Sequence, residues 1–429
     1  IRNILNFEHD YRDAKVVVLE ENYRSREPIL EAAAHVICNN IRRKNKTIRA
    51  CRGEGEPVVV CRANNEYGEA EFAVNTIIAL RRSEGLKNGD FAVFYRTNAQ
   101  SRVFEDVLRR ENINYRVIGG LKFYDRKEIK DVVSYLKFIA NPASSISLLR
   151  VINTPARGIG KATIDKIQDA AYRESVSEWE AIRDGMVPGR MPQGLAAFRE
   201  MMARLMSSRE RVPEKVSLAE FVAEVLRESG YMESLEAEKT PESKARIENI
   251  DEFLNSVFDY QERDPSASLE GFLQDISLLS SEDDPEGEEA RSDMVTLMTV
   301  HNAKGLEFPV VFLTGLEERL FPHANSCEND DGVEEERRLC YVGITRARER
   351  LYMTSAELRR RFGEIEFREP SRFLYEIPEH ITESVEYVQD FGGGFEPRRF
   401  SFSGQPARST VVARPHTETP PPSSSSERS

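Results

Sequence analysis

Cysteine and histidine are scarce in this sequence, and neither is arranged as a metal site. Its 429 residues include five cysteines and six histidines, with no CxxC pair and no Cys or His group at the spacing of zinc ligands. A zinc-stabilised fold and a disulfide scaffold are therefore excluded. We expect reduced thiols and no metal-binding residues.

Long apolar runs are also missing. No stretch approaches the roughly 20 apolar residues of a membrane-spanning helix. The opening residues IRNILNFEHDYRD lack the apolar core of a signal peptide. We therefore predict a cytoplasmic protein without a membrane partner. Because the sequence begins with Ile1 rather than Met, we also expect a fragment or a nicked product of a longer protein.

An excess of basic residues and a phosphate-binding loop are missing as well. The formal net charge of −13 excludes a protein that coats nucleic acid by bulk electrostatics, so any DNA contact would come from local basic or aromatic patches. RGIGKAT at residues 157–163 looks like the loop GxxxxGK[ST], but Pro155 and Ala162 occupy its Gly and Ser/Thr positions. No other stretch matches, so the sequence predicts no triphosphate cradle.

Short β-branched runs predict the strands of a buried sheet. They are almost continuously apolar, which is typical of parallel strands covered on both faces. Helical patterns alternate with them, which indicates a doubly wound parallel α/β fold. The predicted strands are residues 16–19, 58–61, 91–95, 295–300, 310–313 and 351–354. The predicted helices between them are residues 27–40, 67–82, 101–111 and 334–345.

Between residues 126 and about 280 the pattern is helical only. Periodic apolar faces predict a mostly helical domain inserted into the α/β domain. Residues 281–293, SEDDPEGEEARSD, are acidic and poor in apolar residues, so we expect a mobile return linker. After about residue 390 Gly, Pro and Ser dominate, and we expect a disordered tail. The helical faces are residues 129–139, 164–171, 218–226 and 247–258.

Three segments combine short apolar runs with polar, charged ends. They are LEENYRS at 19–25, VTLMTVHNAKGLEFPVVFL at 295–313 and EEERRLCYVGITRARERLYMT at 334–354. These segments resemble motifs IV, V and VI of the UvrD/PcrA/Rep family of superfamily 1 DNA helicases. The resemblance implies a RecA-like second motor domain of the P-loop NTPase type, interrupted by the helical domain. It assigns residues 1–22 to the end of a first motor domain or a connector, 23–122 and 287–388 to the motor domain, 123–286 to the helical domain and 389–429 to the tail.

The resemblance also implies an enzyme that works on DNA. We expect the C-terminal half of a bacterial, ATP-dependent 3′ to 5′ DNA helicase or translocase of DNA repair or replication. Its cofactor would be ATP with Mg²⁺. The phosphate loop and the metal ligands would lie on an N-terminal motor half, so this chain alone should be inactive. The expected partners are that N-terminal half and single-stranded and duplex-junction DNA, and the tail could contact repair or transcription proteins.

One group of residues is assigned to ATP by the resemblance. Arg24 and Arg346 would be catalytic arginine fingers that reach the γ-phosphate. Tyr23 would pack on adenine, Glu307 would lie near the ribose, and Gly305 belongs to the same ATP-binding motif. Without the motif context, exposed arginines at turns usually pair with neighbouring carboxylates and contribute little.

A second group is assigned to single-stranded DNA, which proteins bind through phosphate contacts and stacking platforms. Its aromatic member Phe362 is flanked by the arginines 359–361, as expected for a strand-binding groove. We expect the nucleotide-directed and DNA-directed residues to share the ends of the same strands. The group consists of Arg96, Asn98, Thr299, His301, Lys304, His323 and Phe362.

TPARGIGKATIDKI at 154–167 predicts a helix, a tight glycine hairpin and another helix, and resembles a helix-hairpin-helix that grips duplex DNA. Its glycines permit close approach of the backbone, and N–H groups at the start of the second helix can receive a phosphate. A plain glycine turn between packed helices fits the spacing equally well. An alternative function is therefore a non-catalytic regulatory module that binds duplex or junction DNA. The residues are Thr154, Gly158, Gly160, Lys161 and Thr163.

Overall fold

The computed structural model describes residues 11, 13, 15, 17–41, 48–264, 266–280, 293–361, 363–388 and 398–399. Three predictions concern residues outside these ranges. They are the acidic linker, apart from residue 293, the tail apart from residues 398 and 399, and the DNA-directed Phe362.

A nine-stranded sheet carries the fold. Its strands are β3 (Val58–Asn65), β4 (Phe91–Tyr95), β5 (Tyr115–Ile118), β6 (Val295–Thr299), β7 (Phe308–Leu313), β8 (Ala347–Arg361), β9 (Glu364–Phe367), β10 (Thr382–Tyr387) and β11 (Arg398–Arg399), while β1 (Glu21–Asn22) and β2 (Arg49–Ala50) form a separate ladder. The spatial order is β11-β10-β3-β8-β7-β4-β6-β5, with β9 beside β8. All neighbours from β10 to β5 run parallel, whereas β9 and β11 are antiparallel.

Helices cover both faces of this sheet. On one face Ile29 of α1 (Glu27–Cys38) and Ile344 of α13 (Asp330–Ile344) pack against apolar side chains of β4 and β7. On the other, Phe72 of α2 (Glu66–Glu84) and Leu108 of α3 (Ser101–Arg110) pack against the alternate side chains of the same strands. Since successive side chains of a strand point to opposite faces, nearly continuous apolar strands supply both cores. The predicted doubly wound α/β fold is confirmed.

A helical unit is inserted between β5 and β6, which are parallel neighbours in the sheet, with Tyr115 paired to Val295. One apolar core joins its helices. Local sequence defines several of their ends: Ser217 and Thr240 cap their helices through side-chain oxygens, and Pro241 follows Thr240 at a first-turn position. The helices are α4 (Lys127–Ala140), α5 (Ser145–Val151), α6 (Lys161–Glu174), α7 (Glu178–Arg183), α8 (Gln193–Arg209), α9 (Leu218–Glu228), α10 (Tyr231–Glu238), α11 (Pro241–Arg263) and α12 (Leu269–Ser280).

A buried ion network joins the helical unit to the sheet domain. Arg102 on α3 is only 1% exposed, and its guanidinium donates to Glu252 at 2.6 Å and to Asp259 at 3.1 Å, both on α11. The Tyr67 hydroxyl and the Asp106 carboxylate accept its remaining hydrogen bonds, at 2.9 and 3.2 Å. A guanidinium with every edge occupied fixes the angle at which α11 lies on α3.

The predicted strand at residues 16–19 is wrong. Val17, Val18 and Leu19 are 70%, 50% and 75% exposed, and the nearest strand among the described residues is the two-residue β1. Apolar side chains favour burial, but the described part of the chain leaves these three largely exposed. Six of the described strands were not predicted, because they are short or carry charged residues on an exposed face. They are β1, β2, β5, β9, β10 and β11.

Candidate functional site

Arg24 and Arg346 meet at the beginning of β8. The segment of Arg24 turns back on Asn22, whose side-chain oxygen accepts from the Arg24 and Ser25 backbone N–H groups at 2.8 and 3.0 Å. The Ser25 hydroxyl donates to the carbonyl of Ala347, the first residue of β8, at 2.6 Å. Arg346 directly precedes that residue. The turn therefore holds both arginines at the same point of the sheet.

Glu307 lies between the two arginines. Its Oε2 accepts from Nε of Arg24 at 2.6 Å, and its Oε1 lies 3.8 Å from Nη1 of Arg348. Arg346 is held by other groups, because its guanidinium donates to the Val342 and Leu306 carbonyls and to the Thr345 hydroxyl, at 3.1, 3.3 and 3.1 Å. We call Arg24, Arg346, Arg348 and Glu307 the arginine cluster.

The pKa shifts show that the members of the cluster act on one another. Burial lowers the pKa of Arg346, and the positive charge of Arg24 lowers it further. The hydrogen bond from Arg24 holds the pKa of Glu307 below its usual range. Glu307 contacts Arg24 and lies near Arg348, and the charge of Arg346 also lowers its pKa. One carboxylate thus faces three guanidinium groups, so the cluster keeps an excess of positive charge in an acidic protein. Such a site favours an anion with several oxygens, such as a phosphate chain.

Tyr23 and Gly305 lie beside the cluster. Tyr23 is 71% exposed, and the hydrogen bond between its hydroxyl and Glu21 raises its pKa to about 12. Its ring is therefore accessible for stacking. Gly305 has φ +89°, and a side chain there would meet open space. Glycine is needed at this position for backbone conformation, since other residues rarely adopt a positive φ.

The residues assigned to single-stranded DNA lie around the ends of β4 and β6. Arg96 follows β4, and its Nε and Nη2 donate to both oxygens of Glu336 at 2.9 and 2.7 Å. Thr299 ends β6 and is buried, whereas His301 and Lys304 in the next segment are exposed. His301 keeps access to water, but part of its ring is removed from it. This partial burial, and then the charge of Arg96, lower the pKa of His301, which favours a neutral imidazole. Asn98 begins the turn after Arg96 and is half-buried.

His323 lies where the sheet domain meets the helical unit. Its backbone N–H donates to Glu336 at 3.1 Å, and its ring Nε2 lies 3.6 Å from Glu248 on α11. The predicted basic flank of Phe362 is wrong in one respect. The side chain of Arg359 is only 13% exposed, and it pairs with the buried carboxylates of Glu69 and Glu317 instead of facing a groove. Sequence could not reveal this pairing, because the two carboxylates are remote in the chain.

The two sets of residues lie at opposite ends of the parallel strands, so the expectation that they share strand ends is wrong. The arginine cluster lies where β7 and β8 begin, whereas Arg96 and Thr299 lie where β4 and β6 end. These strands are parallel, and a six-residue strand such as β7 spans about 20 Å. Residues 300–307 connect the end of β6 to the beginning of β7. His301 lies near the end of β6, and Glu307 directly precedes β7.

The glycine hairpin faces outward. The side-chain oxygen of Asn153 accepts from the Arg157 and Ile159 backbone N–H groups at 2.7 and 3.2 Å, which fixes the turn from within. Gly158 has φ +70° and Gly160 caps α6, and a Cβ added at either would meet no atom within 4 Å. Lys161 is exposed and Thr163 half-buried. The preceding helix ends at Val151, so Thr154 lies in the turn, contrary to the predicted helix.

Sequence reasoning missed two charged side chains of these sites. Arg348 contacts Glu307, and Glu336 holds both Arg96 and His323. Arg348 could have been found, because it follows Arg346 by two positions and β-strand residues two apart share a face. Glu336 carried no such signal in a helix rich in glutamate. Among the described residues, no cluster of His, Cys, Asp and Glu suits a metal ion, and no helix is long and apolar enough to cross a membrane.

The chain is similar to known helicases. Residues 17–358 match the family described as the UvrD-like helicase C-terminal domain. Over 391 residues the chain is 46% identical to the ATP-dependent DNA helicase PcrA of Staphylococcus epidermidis and 43% identical to that of Bacillus subtilis. Each match covers 90% of this chain and 52% of the relative, so the chain spans about half the length of the curated relatives it matches.

Proposed function

Since the chain belongs to the UvrD-like helicase C-terminal domain family, we propose that it forms the C-terminal half of an ATP-dependent 3′ to 5′ DNA helicase or translocase. Its role would lie in DNA repair or replication. The meeting of Arg24 and Arg346 beside Glu307 carries this proposal, since it supplies two guanidinium groups to one anionic ligand. The PcrA relatives support the same conclusion.

The cluster fits the phosphates of ATP and does not fit its metal. Arg24 and Arg346 act as arginine fingers, which neutralise the charge that develops on the transferred phosphoryl group. Arg346 is oriented for this by its hydrogen bonds to main-chain carbonyls. Mg²⁺ needs oxygen ligands, and the described residues hold no cluster for it, so its ligands would come from the N-terminal motor half.

Residues 300–307 would couple ATP to DNA. His301 and Lys304, which we assign to DNA, follow the end of β6. Gly305 and Glu307, which we assign to the nucleotide, lie before the beginning of β7. A displacement of Glu307 when the two motor halves close on ATP would therefore shift His301 along a DNA strand. Because the segment carries its own 3-10 turn at Val300–Ala303, anchored in the core by Val300 and Ala303, it can transmit a shift.

The decisive test joins this chain to an N-terminal motor half and replaces Arg346 by alanine. DNA-stimulated ATP turnover should fall by about 10³-fold or more, because a trans arginine contributes that much to phosphoryl transfer. DNA affinity should stay largely unchanged, since Arg346 and Arg96 lie at opposite ends of the parallel strands. The matched control is Arg183→Ala, an exposed arginine paired only with its neighbour Asp184. Normal turnover in R346A would remove the finger role.

A second candidate function is a non-catalytic module that binds duplex or junction DNA. The outward glycine hairpin favours it, because a Cβ added at Gly158 or Gly160 would meet no atom of the described residues within 4 Å. In this alternative the backbone N–H groups at the start of α6 receive a phosphate and Lys161 adds charge. Continued absence of ATP turnover after joining the N-terminal half would favour the module over the motor.

Gly160→Ala tests the hairpin without disturbing the fold. Gly160 has φ −85°, which any residue adopts, and the added methyl group meets open space, so stability should not change. The methyl group would instead stand between the backbone and a phosphate. We expect duplex-junction affinity to fall about fivefold, the value of one lost hydrogen bond, with single-strand affinity unchanged. Equal loss on both DNA forms would refute the hairpin assignment.

A further inference from the structure

We propose that Glu336 is a positioning residue that ties Arg96, which we assign to DNA, to α13, the helix that leads to Arg346. The inference rests on the proposed helicase function and deepens it. It adds a second connection between DNA and ATP, separate from residues 300–307. Through this connection a bound DNA strand would stimulate ATP turnover.

The carboxylate of Glu336 is almost fully buried, with its side chain only 5% exposed. Its Oε1 accepts from Nη2 of Arg96 at 2.7 Å and from the Ser326 hydroxyl at 3.1 Å. Its Oε2 accepts from Nε of Arg96 at 2.9 Å and from the His323 backbone N–H at 3.1 Å. Each oxygen therefore accepts two hydrogen bonds, and Arg96 supplies one to each.

Charge and burial make the contact between Glu336 and Arg96 hard to break. Burial alone would raise the pKa of Glu336, but the hydrogen bonds and the charge of Arg96 hold it below its usual range. The carboxylate is therefore ionised. A buried ion loses much free energy when its partner leaves, so Glu336 and Arg96 move together.

Arg96 keeps one donor group for a ligand. Nε and Nη2 are taken by Glu336, whereas Nη1 has no hydrogen-bond partner among the described residues and retains contact with solvent. Two parallel hydrogen bonds fix the plane of the guanidinium, so Nη1 is oriented before a DNA phosphate arrives. A displacement of that phosphate therefore acts on Glu336 through Arg96.

Helix α13 connects this contact to the nucleotide site. Glu336 lies in its second turn, and its last residue, Ile344, lies roughly 12 Å further along the helix. Arg346 follows two residues later, and its Nε donates to the Val342 carbonyl of the same helix at 3.1 Å. Rigid helices can transmit a displacement between distant sites. A shift of Glu336 would therefore reach Arg346, although Arg96 and Arg346 lie at opposite ends of the parallel strands.

Glu336→Gln tests the inference in the chain joined to an N-terminal motor half. The measured quantity is the stimulation ratio, which is ATP turnover with saturating oligothymidine divided by turnover without DNA. Glutamine keeps the shape of the side chain but has one acceptor oxygen and no charge, so the double contact with Arg96 is lost. We expect the ratio to fall about tenfold, the value of one hydrogen bond to a charged group. A folding defect would lower both turnovers together and leave the ratio unchanged.

Arg96→Lys tests the same contact from its other side. Lysine keeps a positive charge for a DNA phosphate but cannot donate to both carboxylate oxygens in one plane. The ratio should fall as in E336Q, and this variant leaves Glu336 a cation, so it decides the question even if E336Q does not fold. The double variant should fall no further, because two residues of one contact act as a unit. Multiplied single effects would show independent roles and overturn the inference.

Glu335→Gln is the matched control. Glu335 is the neighbouring residue of α13, but it is 76% exposed and pairs with Arg338 at 2.8 Å instead of Arg96. E335Q removes the same charge from the same helical turn, so the stimulation ratio should not change. An equal fall in E335Q would reduce the effect to general electrostatics and overturn the inference.

Other outcomes separate the inference from the proposed function. Normal stimulation in E336Q and R96K, with DNA-stimulated turnover in the joined wild type, overturns the role of Glu336 and leaves the motor standing. Absence of DNA-stimulated turnover in the joined wild type overturns the proposed function and the inference with it. R346A differs from E336Q, because loss of the finger lowers turnover with and without DNA alike.

Discussion

Arg24 and Arg102 are both paired with carboxylates, but in opposite surroundings. Arg24 is 35% exposed where β7 and β8 begin, and it shares the Glu307 carboxylate with Arg348. Arg102 is 1% exposed between α3 and α11 and is surrounded by three carboxylates and a tyrosine hydroxyl. The first site has more positive charge than Glu307 balances. At the second site Arg109 and Arg360 also approach Asp106 and Asp259, at 3.4 and 3.9 Å, so three arginines face three carboxylates.

The difference shows how one type of contact serves two purposes. A guanidinium that keeps access to water can exchange its partner for a ligand, because water screens the charges left behind. A guanidinium removed from water cannot lose a partner without a large loss of free energy, so it fixes one arrangement. We therefore assign ligand exchange to the arginine cluster and domain attachment to the Arg102 network.

Arg102→Ala should give the largest effect on stability. It would leave the carboxylates of Glu252 and Asp259 partly buried without their cation, and breaking such a network costs about 3 to 5 kcal/mol. Urea unfolding of the chain measures the loss. Arg24→Ala is the matched control and should change the free energy of unfolding by less than about 1 kcal/mol. Similar small losses in both variants would contradict the contrast between the two sites.

Asp251→Asn sharpens the comparison through pH. Asp251 lies on α11, close to the Arg102 network, and its Oδ1 has no hydrogen-bond partner among the described residues. Burial raises its pKa to about 7; Arg361 opposes this, and the charges of nearby glutamates reinforce it. Those glutamates are Glu248, Glu252 and Glu236.

The sign of the pH effect follows from the raised pKa. The native state holds a proton that the unfolded chain releases above about pH 4, so this contribution to stability is lost as pH rises toward 7. Asparagine carries no charge to bury. The free energy of unfolding of the variant minus that of the wild type should therefore be about 1 to 2 kcal/mol larger at pH 8 than at pH 5. Asp184→Asn, at a fully exposed site, should show no such widening in urea titrations at the two pH values.

Local pattern predicted much of the sheet. The strand at Phe91–Tyr95 agrees with the structure at both ends, because five consecutive apolar residues between polar turns leave little ambiguity. The equally apolar Val17, Val18 and Leu19 are exposed, whereas the side chain of the charged Arg359 is only 13% exposed. In these cases contacts with remote parts of the chain decided whether a side chain is buried or exposed.

The sequence by itself determined the alternation of strands and helices, the interruption by helices, and the motif residues Arg24, Glu307 and Arg346, because these depend on neighbouring residues. Tertiary structure alone decided that Arg24 meets Glu307, 283 positions away, and that the residues predicted to bind nucleotide and those predicted to bind DNA lie at opposite ends of the parallel strands. The reason is physical: strand register and burial follow from contacts between remote segments, and those contacts determine which arginines can exchange a partner.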